Sequence, residues 1–196
     1  MFGGAVNYNF SKVKVLVVED MQPVLSVTVS LLKMMGFKDV HGARGVDDAY
    51  RLFIAHNHDL IITDWLMEPL DGLDLVKMVR RNEDTPNKFV PVILMTGYSD
   101  SNHVEKARDA GITEFLMKPY LAKDMYARIV QVIERPRLFV EDSDFFGPDR
   151  RRKKNFAYLG KNKRDYTRDA DSLHWPETRR QDGKAVRDLR EETEKL

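Results

Sequence analysis

Four short apolar runs in this chain each end in a polar group, and that repetition restricts the fold more than any other feature. Val13-Lys14-Val15-Leu16-Val17-Val18 ends in the carboxylate pair Glu19-Asp20, and Leu60-Ile61-Ile62-Thr63 ends in Asp64. Pro91-Val92-Ile93-Leu94-Met95 ends in Thr96-Gly97, and Phe115-Leu116-Met117 ends in Lys118-Pro119. Short, apolar, β-branched runs read as strands buried on both faces, as a parallel sheet requires. In an open parallel sheet, ligands bind beyond the carboxyl ends of the strands, where the strand order reverses. Three carboxylates, a hydroxyl and an ammonium gathered there would suit magnesium and a phosphoryl group.

Segments of helical period separate these runs. Val24, Val27, Leu31 and Met35 share one face at helix spacing, with Pro23 in the first turn and Gly36 as the C-terminal cap. Val46, Ala49, Tyr50 and Phe53 form a second stripe; Leu73, Val76 and Val79 form a third, after the turn Pro69-Leu70-Asp71-Gly72. Val104, Ala107 and Ala110 are a weaker fourth, closed by Gly111. Ala122, Met125, Ile129, Val132 and Ile133 are a fifth, stopped before Pro136. If Asp39-Val40-His41 is accepted as a weak second strand, there are five βα units. Right-handed crossovers then give an α/β, flavodoxin-like (βα)5 three-layer sandwich with parallel sheet order 2-1-3-4-5. The expected division is a domain over residues 12–135 and a charged extension of low hydrophobicity over 136–196.

Composition narrows the remaining classes. A net charge of +1 over 196 residues supplies no global field for nucleic acid or membrane. The absence of Cys excludes disulfides, thiolate metal sites and a cysteine nucleophile, and suits a reducing compartment. Met1 to Lys12 lacks a secretory signature, and no apolar stretch approaches the ~20 residues that span a bilayer. A soluble, cytoplasmic chain is expected.

From Glu141 to Leu196 there are 15 Lys+Arg and 13 Asp+Glu with scattered apolar residues, so this tail is expected to be largely disordered when alone. Within it, residues 150–168 carry nine basic residues against one acid, with Phe156, Tyr158 and Tyr166 interspersed. A solvated tail is the simplest reading, a docking segment for an acidic protein comes second, and nucleic-acid contact through stacking is third. Phe145-Phe146-Gly147-Pro148 reads as a linear binding motif. His41, His56, His58, His103 and His174 have no ligand spacing on a common element, and His56 and His58 would point apart on a helix, so none is assigned a metal.

Taken in order, the acid pair Glu19-Asp20, Asp64, Thr96 and Lys118-Pro119 resemble the receiver domain of two-component response regulators. The loop Asp64-Trp65-Leu66-Met67-Glu68-Pro69-Leu70-Asp71-Gly72-Leu73 is similar to that family's, although Glu68 intervenes and Pro69 falls one place late. The resemblance implies that Asp64 is the phosphoacceptor, served by a histidine kinase or a histidine phosphotransferase. It also implies Mg²⁺ held by Glu19, Asp20, Asp64 and the backbone carbonyl of Leu66. Lys118 would neutralise phosphoryl oxygens, and Thr96 would swing its hydroxyl onto one of them. Phe115, three places before Lys118, would be the aromatic partner of that switch. The fourth helix, fifth strand and fifth helix would then be the output face toward a downstream protein, with a homodimer as a further option.

Leu66 cannot hydrogen-bond an attacking water, and Tyr98 could shield an acyl phosphate, so slow self-hydrolysis is expected. Chemistry beyond phosphoryl acceptance and its reversal is not. A phosphatase of the haloacid dehalogenase type needs an acid where Leu66 stands, and a dinucleotide enzyme needs glycines where Glu19-Asp20 would repel a pyrophosphate. The remaining alternative is a receiver-regulated nucleic-acid-binding or adaptor module acting through the basic tail. No helix-turn-helix pattern accompanies it.

Overall fold

The structure is a computed structural model and describes residues 8–98, 100–142, 145–149 and 165–168. Five strands, β1 (Lys14–Val18), β2 (Asp39–Ala43), β3 (Leu60–Asp64), β4 (Val92–Thr96) and β5 (Glu114–Met117), alternate with helices. The helices are α1 (Gln22–Met34), α2 (Val46–His56), α3 (Gly72–Arg81), α4 (Ser101–Ala110) and α5 (Ala122–Glu134). All strand pairs in this sheet are parallel, in the order β2-β1-β3-β4-β5, the expected flavodoxin-like sandwich. The reversal of order falls between β1 and β3, whose C-terminal ends carry Glu19-Asp20 and Asp64.

β3 and β4 are buried along their whole length, which accounts for their unbroken apolar runs. Successive side chains feed two cores. Leu16, Val18, Ile61, Val92 and Leu94 face α2, α3 and Ala107 of α4. Val15, Val17, Leu60, Ile62, Ile93 and Met95 face Leu25 and Leu32 of α1 and Met125, Ile129 and Ile133 of α5. Tyr8 and Phe10 join this second core, Phe10 stacked on Phe37 with ring centroids 4.4 Å apart.

The stripes expected on α2, α3 and α5 are the buried ones, apart from exposed Ala122. α1 differs by a phase. It buries Leu25, Thr28 and Leu32, whereas Val27 is 59% exposed. The helix is apolar on more than one side, so period alone did not select the packed face. α4 buries only Ala107, in keeping with its weak stripe. Gly36 and Gly111 take positive φ just beyond α1 and α4, where a side chain would be strained.

Past α5, β6 (Phe139–Asp142) pairs antiparallel with β7 (Phe145–Pro148) on one side and β8 (Asp165–Arg168) on the other. Phe145-Phe146-Gly147-Pro148 is therefore paired backbone rather than an open linear motif. Phe146 packs edge-on against Phe89, at 5.2 Å between ring centroids. Phe139 meets Phe89 at 5.1 Å and is itself buried. The rest of the tail expected to be disordered, including the basic run 150–154, Phe156 and Tyr158, lies outside the described residues.

Candidate functional site

Burial makes the ends of β1 and β3 chemically unusual. The Glu19 side chain is fully buried and Asp64 is 7% exposed, while Asp20, next to Glu19, is half-buried. Buried carboxylates need a counter-charge, and Lys118 supplies it from the end of β5. Its Nζ lies 3.0 Å from Glu19 Oε2 and 2.9 Å from Asp64 Oδ1. Burial pushes the Glu19 carboxyl above its ordinary pKa, helped by the charge of Asp64, and Lys118 only partly offsets this. Burial alone would lower the Lys118 ammonium, but its hydrogen bonds to Asp64 and Glu19 outweigh that and hold it above the ordinary value.

Main-chain contacts fix the Asp64 carboxylate. Asp64 Oδ1 accepts the Trp65 N–H at 2.8 Å. Its carbonyl oxygen accepts the Thr63 hydroxyl at 3.0 Å, and α3 begins directly against it. A Cβ at Gly72 would lie 2.0 Å from that carbonyl oxygen, so only glycine lets α3 start so close to the site. Asp71 caps the helix: its side chain accepts the Asp74 N–H, and the Asp74 side chain accepts the Asp71 N–H.

Thr96 is buried at the end of β4, and its Oγ1 accepts the Tyr98 N–H at 2.9 Å. The Thr96 carbonyl accepts the Lys118 N–H at 2.7 Å, which ties the hydroxyl-bearing strand to the lysine loop. Pro119 follows a cis peptide, as does Pro69 in the loop past Asp64. Phe115 is half-buried and packs on the α2–α3 side of the sheet with Ala110 and the core around Leu94. Leu66 projects into solvent, 59% exposed.

One carboxylate oxygen from each of Glu19, Asp20 and Asp64 falls within 4.8 Å of the others, the one such cluster of potential metal ligands among the described residues. An all-oxygen, anionic donor set fits a hard divalent cation such as magnesium. The expected residues Glu19, Asp20, Asp64 and Lys118 thus meet at one place, with Thr96 on the neighbouring strand end.

Several contacts around the site were not anticipated from the sequence. Gly72 looked like an ordinary turn residue, and only the approach of α3 to Asp64 reveals its role. The Tyr98 ring stacks on His103, at 4.3 Å and 9° between planes, and Trp65 lies edge-on to both at 5.8 and 5.3 Å. The His103 ring is tethered to Asp100 at 2.6 Å, an i,i+3 pair visible in the sequence. Tyr120, behind Pro119, shares a hydrogen bond with Thr28 of α1 at 3.0 Å.

The histidines also depart from expectation. His58 lies past the end of α2, where Asn57 turns the chain in a left-handed conformation, so it does not point away from His56. His41 Nδ1 sits 2.8 Å from His58 Nε2, and the His56 ring stacks on His41. Burial, reinforced by those two rings, pushes the His58 imidazole down to about 4.

Comparison with known proteins bears on the whole arrangement. The family model of the response regulator receiver domain matches residues 15–130. The chain is 29% identical over 122 residues to the chemotaxis protein CheY of Pseudomonas aeruginosa, covering 62% of this chain and 97% of that protein. It is 27% identical to chemotaxis protein CheY-3 of Vibrio cholerae over 62% of this chain and 92% of that one. Among solved structures, chemotaxis protein CheY4 of Vibrio cholerae superposes with a TM-score of 0.57 at 25% identity, covering 61% of this chain and 98% of that one. A response regulator receiver domain protein from Clostridium thermocellum gives 0.56 at 29% identity, over 63% and 95%. The family match ends at residue 130, and the reading of the tail as a nucleic-acid-binding or adaptor module gains no support from these similarities. From its parallel sheet to its clustered acids, the chain belongs to the response regulator receiver domain family of two-component signalling.

Proposed function

We propose that this protein is a response regulator that accepts a phosphoryl group on Asp64 from a histidine kinase or histidine phosphotransferase and signals through contacts with a downstream protein. The observation that carries this reading is the Lys118 ammonium bridging Asp64 and fully buried Glu19, with Asp20 in the same cluster. Both donors to Asp64 fall on Oδ1, so Oδ2 is the oxygen left to attack phosphorus. As that O–P bond forms, the P–N bond of a phosphohistidine breaks and the imidazole departs with its electron pair. Lys118 stays beside the new charge, and the Thr96 hydroxyl exchanges its contact with the Tyr98 N–H for a phosphoryl oxygen. Phe115 repacks in response. Glu19, Asp20, Asp64 and the Leu66 carbonyl would hold Mg²⁺, which when bound neutralises charge on the transferring group.

The division at residues 135 and 136, a cytoplasmic location, and an activity limited to accepting and losing the phosphoryl group belong to the same reading. No helix of the described residues is long and apolar enough to cross a membrane. The test is direct. Incubation with Mg²⁺ and acetyl phosphate should add one phosphoryl group by intact mass, and Asp64→Ala should abolish it. Wild type that stays unmodified, or an Asp64→Ala chain that is modified equally, overturns the proposal.

A further inference from the structure

The β6–β7 hairpin lies against the C-terminal ends of α3 and α4, and the fit is unusually close. A Cβ placed on Gly147 would be 2.9 Å from the Gly111 Cα, and one on Gly111 would be 3.2 Å from the Phe146 carbonyl oxygen. Gly111 is also the left-handed cap of α4, so this end of the helix touches the hairpin main chain to main chain. Arg80, fully buried at the end of α3, completes the seat. Its Nε donates to the Gly111 carbonyl at 3.1 Å and its Nη1 to the Lys88 carbonyl at 2.7 Å, while its guanidinium lies 5.2 Å from the Phe139 ring centroid.

The opposite end of α4 belongs to the site. Asp100 caps it by accepting the His103 N–H, and the His103 ring stacks on Tyr98 and abuts Trp65. Tyr98 and Trp65 in turn donate their backbone N–H groups to Thr96 Oγ1 and Asp64 Oδ1. One helix of 10 residues, about 15 Å long, therefore connects Asp64 and Thr96 to the hairpin. Ala107 is its only buried residue and Ala110 packs beside it half-covered, so displacing the helix disturbs little buried surface. At the Gly111–Gly147 approach main chain meets main chain, with the Phe145 ring and the Arg80 side chain packed around it, so there is little room to absorb a shift.

We propose that the β6–β7 hairpin is the read-out element of Asp64, its seating on Gly111 altered through α4 when the Thr96 hydroxyl leaves the Tyr98 N–H. This rests on Asp64 being the phosphoacceptor. Coupling of this kind is reciprocal, so unseating the hairpin must also disturb the aromatic cluster beside the site.

Two measurements on the full chain test it. The first is hydrogen exchange after treatment with acetyl phosphate and Mg²⁺, with intact mass taken on the same sample. Phosphorylated protein should exchange residues 138–148 about fivefold faster than untreated protein, and Asp64→Asn should show no change. A full mass gain with unaltered exchange over 138–148 overturns the proposal. The second needs no phosphoryl group. Gly147→Val, or Phe146→Ser if the valine chain does not fold, should move the His103 ring and Trp65 indole resonances. If both stay in place, the linkage is refuted. Absence of any mass gain on wild type counts against the phosphoacceptor reading alone, and the resonance measurement then decides the linkage by itself.

Discussion

Lys118 illustrates how much one side chain can carry in a receiver. It balances two buried or nearly buried acids, yet it also opposes the arrival of a divalent cation among them. Lys118→Ala should therefore tighten Mg²⁺ binding severalfold, read by titration calorimetry, while slowing phosphoryl uptake about a hundredfold, or ~3 kcal/mol in barrier. Gly72→Ala tests a steric demand. With its Cβ 2.0 Å from the Asp64 carbonyl oxygen, either α3 or Asp64 must shift, and urea unfolding should show a loss of about 3 kcal/mol. Leu66, exposed two places beyond Asp64, leaves an attacking water without a polar partner. Leu66→Asn should shorten the phosphoryl half-life about tenfold, ~1.4 kcal/mol, and an unchanged half-life would dismiss the idea. His58 supplies a pH dependence. Its folded pKa of about 4 lies below the ordinary 6.5, so the unfolded chain takes the extra proton. Stability is complete above pH 6.5 and falls as pH drops toward 4, by about 2 kcal/mol between pH 7 and 5. His58→Gln should flatten that slope in urea titrations.

At the scale of elements, β3 and β4 were legible because full burial demands unbroken apolar runs, and α2, α3 and α5 because each is apolar on one side only. α1 was legible as a helix but not in its phase: Val24, Val27, Leu31 and Met35 keep helical spacing as well as Leu25, Thr28 and Leu32 do, and only the packed structure decides between them. The carboxylates, Thr96 and Lys118 could be read because their chemistry is local to strand ends. Gly72, the Tyr98–His103 stack and the Gly111–Gly147 approach could not, since each depends on how a loop or hairpin folds back onto its neighbour rather than on any residue pattern. The cap of α3 is a local device. Asp71→Ala removes one half of a reciprocal hydrogen-bond pair and should cost about 1 kcal/mol by thermal or urea unfolding.

Across the whole molecule, the catalytic-looking groups gather at one end of the sheet and the hairpin at the other, and the two ends use different physics. The site is acidic, its three carboxylates only partly offset by Lys118. The hairpin seat is apolar, aromatic and glycine-lined, around one buried guanidinium whose pKa burial pushes down to about 9. That seat also governs where the molecule can be divided. A fragment ending after Glu134 would retain all five parallel strands and every site residue. It would also strip the rings of Phe139 and Phe146 from Phe89, bare an aromatic surface, and let water reach Arg80. Partner binding or self-association measured on such a fragment would report an adhesive patch that the intact protein keeps covered.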